Sequence, residues 1–129
     1  MVQADLSQLS TECNSWRETL RSNRDEFTLF KRHLQQAAGQ PLSKDQLQDV
    51  ERYHNQFHIQ LINIHDLKQS VKTHDRKVNF ELAEHTGQVK EETLSEHEHI
   101  FEEYTSLEQT LHELRQDFNR FMEILHVTV

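Results

Sequence analysis

The chain has 129 residues with 2 glycines, 1 proline and 1 cysteine, and its formal net charge is −8. So few glycines and prolines argue against a turn-rich β or α/β fold, since tight turns draw on the backbone freedom of one and the preset φ of the other. The acidity, without any long Lys/Arg run, argues against nucleic acid and anionic membrane as partners.

Hydrophobic residues make up 34% of the chain and charged residues 28%. Leu, Ile, Val and Phe account for about 26%, above the roughly 20% below which disorder is the default. A thin, regularly spaced core is expected: a single all-α domain over residues 1–129, an elongated antiparallel three-helix bundle or coiled coil. No apolar run approaches the roughly 18 residues of a membrane span. No leader or lipidation pattern is visible, so a cytoplasmic protein is expected.

The first helix is expected over about 4–37. Its seam runs Leu6, Leu9, Cys13, Trp16, Leu20, Asn23, Phe27, Phe30, Leu34 and Ala37, in alternating steps of three and four. Gly39 and Pro41 then mark an exit. Ser43 with Gln46 forms the pattern of a capping box, with Leu42 and Leu47 as its hydrophobic staple.

The second helix is expected over about 44–85, with Gly87 as its exit. Its seam reads Leu47, Val50, His54, Phe57, Leu61 and Ile64. It then weakens through Lys68 or Leu67, Val71, Asp75 or His74, Val78 and Leu82, with Asp75–Asn79 a competing break. The third is expected over about 88–126, with Ile100, Tyr104, Leu107, Leu111, Leu114, Phe118, Phe121 and Leu125 as its seam.

Short connections make neighbouring helices antiparallel. A fold-back at 40–41 sets residue i of the first helix opposite about 81 − i, and one at 86–87 sets residue i of the second opposite about 173 − i. On that register Trp16 shares a layer with Ile64 and Leu107–Leu111. Residues 79 to about 94 project as a polar helix 2–helix 3 hairpin tip.

Three features bear on function. Glu51, His54 and His58 combine Glu-x-x-His and His-x-x-x-His spacing, which on a helix brings metal-ligating groups to one side. His54 falls on the seam and Glu51 and His58 on its flank. Only two imidazoles come together there, short of the three or four ligands of a dedicated site, and Lys31 and Arg32 lie across from them. A metal-binding bundle using these residues is therefore the alternative reading, and no cofactor is expected.

Asn23 interrupts the first seam as a polar layer that sets register; the fold-back places it near Phe57 and His58. Cys13 is expected to be a small buried apolar residue. Phosphate loops and catalytic dyads need loop-built pockets, and this chain has almost no loops, so catalysis and a small-molecule substrate are not expected.

The second helix also carries Ile59 and Ile62 opposite its seam, with Leu67 flanking. A helix with one partner face needs no apolar residues there. The leading expectation is a non-catalytic interaction or scaffold protein, forming a homodimer or docking a partner protein helix through Ile59, Ile62 and Leu67.

Overall fold

The computed structural model describes residues 5–84 and 89–125. Among them are three helices and no strand: α1 (Leu6–Ala38), α2 (Lys44–Ala83) and α3 (Glu91–Ile124). The fold is an all-α three-helix bundle. At 1.5 Å per residue the helices are about 50 to 60 Å long.

The helix starts follow local chemistry. Asp5 caps α1, its carboxylate accepting from the Gln8 backbone N–H at 2.7 Å. Ser43 and Gln46 form the expected capping box: the Ser43 hydroxyl accepts from the Gln46 N–H at 3.1 Å, and the Gln46 side chain accepts from the Ser43 N–H at 2.9 Å. Two orphan donors are thereby satisfied at once. α2 runs unbroken through Asp75. It ends at Ala83; the expected exit at Gly87 and end near His85 lie outside the described residues. α3 begins at Glu91 rather than near 88, capped by Lys90 without a side-chain hydrogen bond.

α2 lies antiparallel to both neighbours, with Ser10 meeting Asp75, Phe27 meeting Phe57, and Tyr53 meeting Phe118. α1 and α3 are therefore parallel, with Phe30 against Phe118. The α2–α3 register is as expected. Between α1 and α2, partners lie three to four residues further along α2 than a fold-back at 40–41 gives. The five-residue connection 39–43 is broader than a hairpin hinge, and Leu47 is left 48% exposed.

That shift has two consequences. Trp16 stacks with Phe101 and Tyr104 and packs on His97, instead of sharing a layer with Leu107 and Leu111. At the start of α2, Tyr53 is the buried residue and His54 is exposed. A Tyr ring one position earlier fills the space between Phe57 and Phe121, and its hydroxyl donates to the Asp117 carbonyl at 3.2 Å. That burial turns His54 outward.

One main core runs from Cys13 and Ile100 to Ala37 and Met122. Leu6, Leu9 and Val78 form a second small cluster against Val89.

Candidate metal centre

Cys13 on α1, His74 on α2 and His97 on α3 meet in the interior. Each is held by its helix's apolar seam. Cys13 lies between Leu9 and Trp16, His74 between Val71 and Val78, and His97 four residues from Thr93 and three from Ile100; all of these neighbours are buried. The three residues are 0%, 4% and 5% exposed respectively. One ligand atom from each lies within 4.8 Å of the other two.

The two imidazoles face each other, His74 Nε2 to His97 Nδ1 at 3.0 Å. Their outward nitrogens each face a carboxylate. His74 Nδ1 is 3.6 Å from Glu96 Oε2, and His97 Nε2 is 3.7 Å from Glu12 Oε1. Both outward nitrogens are buried without a hydrogen-bond partner. Asp75 is the charge that acts most strongly on the Cys13 thiol. It is held by the Ser10 hydroxyl at 2.9 Å and by Arg17 at 3.6 Å.

The arrangement is cyclic. Each helix supplies one ligand and, from an adjacent residue, the acid that acts on the ligand of another helix. Glu12 of α1 faces His97 of α3, Glu96 of α3 faces His74 of α2, and the charge of Asp75 on α2 acts on the Cys13 thiol of α1.

A proton count shows what this cluster lacks. Two neutral imidazoles carry two N–H protons. There are three places that want one: between the rings, toward Glu96 and toward Glu12. With one proton between the rings, one outward nitrogen presents a bare lone pair to a carboxylate. An ion between the rings removes the conflict, because both inward nitrogens then offer lone pairs to it and both outward nitrogens carry N–H toward Glu. Metal-ligating histidines generally direct their second N–H at such an acceptor.

The spacing suits an ion. Nitrogens about 2.0–2.1 Å from one zinc-sized ion at a tetrahedral angle stand about 3.3 Å apart, and a thiolate sulfur stands about 3.5 Å from each. The inter-ring distance is 3.0 Å, and the whole triad lies within 4.8 Å, at most about 1.3 Å beyond the sulfur–nitrogen value.

Burial dominates the electrostatics. It pushes the Cys13 thiol up to about 12, with the Asp75 charge adding to the effect. Burial likewise lowers both histidines below their usual range, against the opposing pull of Glu96 on His74 and of Glu12 on His97. Hydrogen bonding from Lys77 at 3.0 Å holds the Glu96 carboxyl low. Without an ion the triad is therefore a neutral thiol and two neutral imidazoles near pH 7.

The residues singled out in the sequence are arranged differently. Glu51, His54 and His58 are all exposed, so the spacing that brings them to one helix side does not bring them to an interior site. Among the described residues, the metal-competent cluster is Cys13, His74 and His97. Asn23 is buried as expected, but its partners lie on α3: its amide donates to Glu108, and its carbonyl accepts from Arg115 at 3.4 Å. Arg115 also pairs with Glu26 at 2.6 Å. The register shift and the parallel α1–α3 contact replace Phe57 and His58 with these groups. Leu67 is 6% exposed and belongs to the core, whereas Ile59 and Ile62 are 52% and 48% exposed.

Cys13 was legible as buried, and His74 as one of two seam choices. His97 was not picked out, because the start of α3 reads as polar. Its position three residues before Ile100, in step with that seam, was the available signal.

Compared with known proteins, the chain matches no family model, no curated protein and no solved structure.

Proposed function

We propose that this protein is a non-catalytic helical module that binds one transition-metal ion at Cys13, His74 and His97, and that the ion ties the three helices together. The observation that carries this reading is three buried ligand atoms, one per helix, with both outward imidazole nitrogens aimed at carboxylates. The ion takes a thiolate from Cys13 and a lone pair from each imidazole. The thiol proton, held tightly in the metal-free state, leaves to solvent. Three protein ligands leave a tetrahedral ion one position for water or another small ligand.

Cobalt(II) provides a direct test, since thiolate coordination gives it ultraviolet charge-transfer absorption and a tetrahedral field gives it visible bands. One equivalent should produce both in the wild-type protein. Cys13→Ser should lose the charge-transfer band, and His74→Ala should weaken binding. Absence of both bands in folded wild-type protein contradicts the reading.

A second reading rests on Ile59 and Ile62, which lie one helical turn apart and half exposed on the face of α2 turned away from α1 and α3. On this reading α2 meets a second copy antiparallel across a two-fold axis, setting Ile59 on the partner's Ile62 and Asn55 opposite the partner's Asp66. Such a contact is self-complementary and brings no like charges together. Sedimentation of wild type against Ile59→Asp/Ile62→Asp tests it: a dimer that becomes a monomer supports it, and a wild-type monomer removes it. In either reading the protein acts by holding things together.

A further inference from the structure

Resting on the metal-binding reading above, we propose that Glu12 and Glu96 make the centre selective for a dication, zinc(II) in particular, over copper(I). The ligand set alone does not decide between them, because one thiolate and two imidazoles suit either ion. The surroundings do.

Two carboxylates face the imidazoles, Glu12 and Glu96, and a third, the largely buried Asp75 next to His74, acts by its charge on the Cys13 thiol. Two cations are paired to them, Arg17 with Asp75 and Lys77 with Glu96. That leaves one formal negative charge, and the Cys13 thiolate makes it two. Lys77 is shared with Glu92, so its charge is not spent on Glu96 alone. A dication brings such a site to neutrality, whereas a monocation leaves a buried negative charge uncompensated. The ligands are buried, which makes that difference larger than in water, while the two-fifths exposure of Glu12 and Glu96 screens part of it.

Glu12 and Glu96 play two parts. As acceptors 3.6 and 3.7 Å from the outward nitrogens, they favour the tautomer that points lone pairs inward, which helps any ion. As charges they favour the higher-valent ion. Replacing either by glutamine keeps an acceptor and the side-chain shape but removes the charge. Both side chains are about two-fifths exposed, so the substitution does not bury a new group.

The test is competition between zinc(II) and copper(I) for the full-length protein, each ion buffered by a chelator of known affinity, in wild type, Glu12→Gln and Glu96→Gln. Each variant should bind zinc(II) about 10–100-fold more weakly, the range over which hydrogen-bonding partners of metal ligands act. Copper(I) affinity should fall by much less, so the preference for zinc(II) drops about tenfold or more. Glu102→Gln, an exposed charge removal on α3 that faces none of the ligands, should leave the preference unchanged. Circular dichroism checks that each variant remains helical.

If wild type binds either ion but the preference is the same in both variants, dication selectivity by these glutamates is refuted while the metal-binding reading stands. Equal losses for both ions refute it too, reducing the glutamates to holders of the tautomer. If wild type binds neither ion, this proposal falls together with the reading it rests on.

Discussion

At one end of the bundle Phe27, Phe30, Tyr53, Phe57, Phe118 and Phe121 fill the space between the helices. At the other end, the inward positions of the same helices carry Cys13, His74, Asp75, Glu81, Thr93 and His97. The aromatic end is held by burial of large apolar area and by ring packing, which is non-directional or weakly so. The polar end is held by directed contacts, including the 2.7 Å hydrogen bond donated by the Thr93 hydroxyl to Glu81. Buried polar groups cost stability unless their partners are complete. Three of the buried polar atoms without a partner are at this end: His74 Nδ1, His97 Nε2 and Glu81 Oε2. Among the described residues, unpartnered buried polar atoms are thus concentrated at the polar end, with Gln56 Oε1, next to Phe57, the exception at the aromatic end.

Breaking the aromatic end should have the largest effect. Phe118 is 1% exposed and packs on Phe30, Tyr53 and Phe57. Phe118→Ala should lower unfolding free energy by about 3–5 kcal/mol in urea titrations, with and without metal alike. The polar end responds to a different variable. At a free ion concentration a hundred times the dissociation constant, bound metal should stabilise the fold by about 2.7 kcal/mol. Chelation should remove that increment in wild type and in Phe118→Ala, and do nothing in Cys13→Ser.

A gentler effect sharpens the same comparison. Burial lowers both His74 and His97, so the unfolded chain binds protons more readily than the folded one as the pH drops. Metal-free stability should be fully present above the ordinary histidine value of 6.5 and decline as pH falls through it. The urea midpoint in chelator, followed from about pH 7.5 to 5, reports this. A flat profile in that window contradicts the burial argument, and Phe118→Ala should keep the wild-type slope. The smallest effect is expected outside both ends. Ile59→Asp/Ile62→Asp should change monomer stability by no more than about 0.5 kcal/mol per site, and its consequence should appear in sedimentation instead.

The two ends also differed in how legible they were. Steps of three and four placed every α1 seam residue correctly, including Asn23, because apolar spacing alone decides which side of a long helix faces inward. The aromatic end was visible for the same reason, apart from Tyr53, whose burial turned His54 outward. The polar end was harder to see. His97 and Thr93 have no apolar signature, so periodicity passes over them, and Glu81 lies in a segment expected to be a polar tip. Above all, three ligands from three helices meet only if the helix register is right. Setting α1 opposite 81 − i puts Cys13 across from Lys68, several residues short of His74. A shift of about one turn brings the thiol to the imidazoles. The Glu-x-x-His pattern on α2 had correct local geometry and still faced outward, because spacing fixes which residues share a side and packing fixes where that side points.

The proposed role turns on one ion joining Cys13, His74 and His97. Native mass spectrometry of protein prepared without a histidine tag and equilibrated with one equivalent of zinc(II) tests it most directly, since adduct mass and subunit count appear together. One ion per chain is expected, retained on mild desalting in wild type and absent from Cys13→Ser and His97→Ala. A wild-type chain that stays bare, or one that keeps its ion when Cys13 and His97 are replaced, would contradict it.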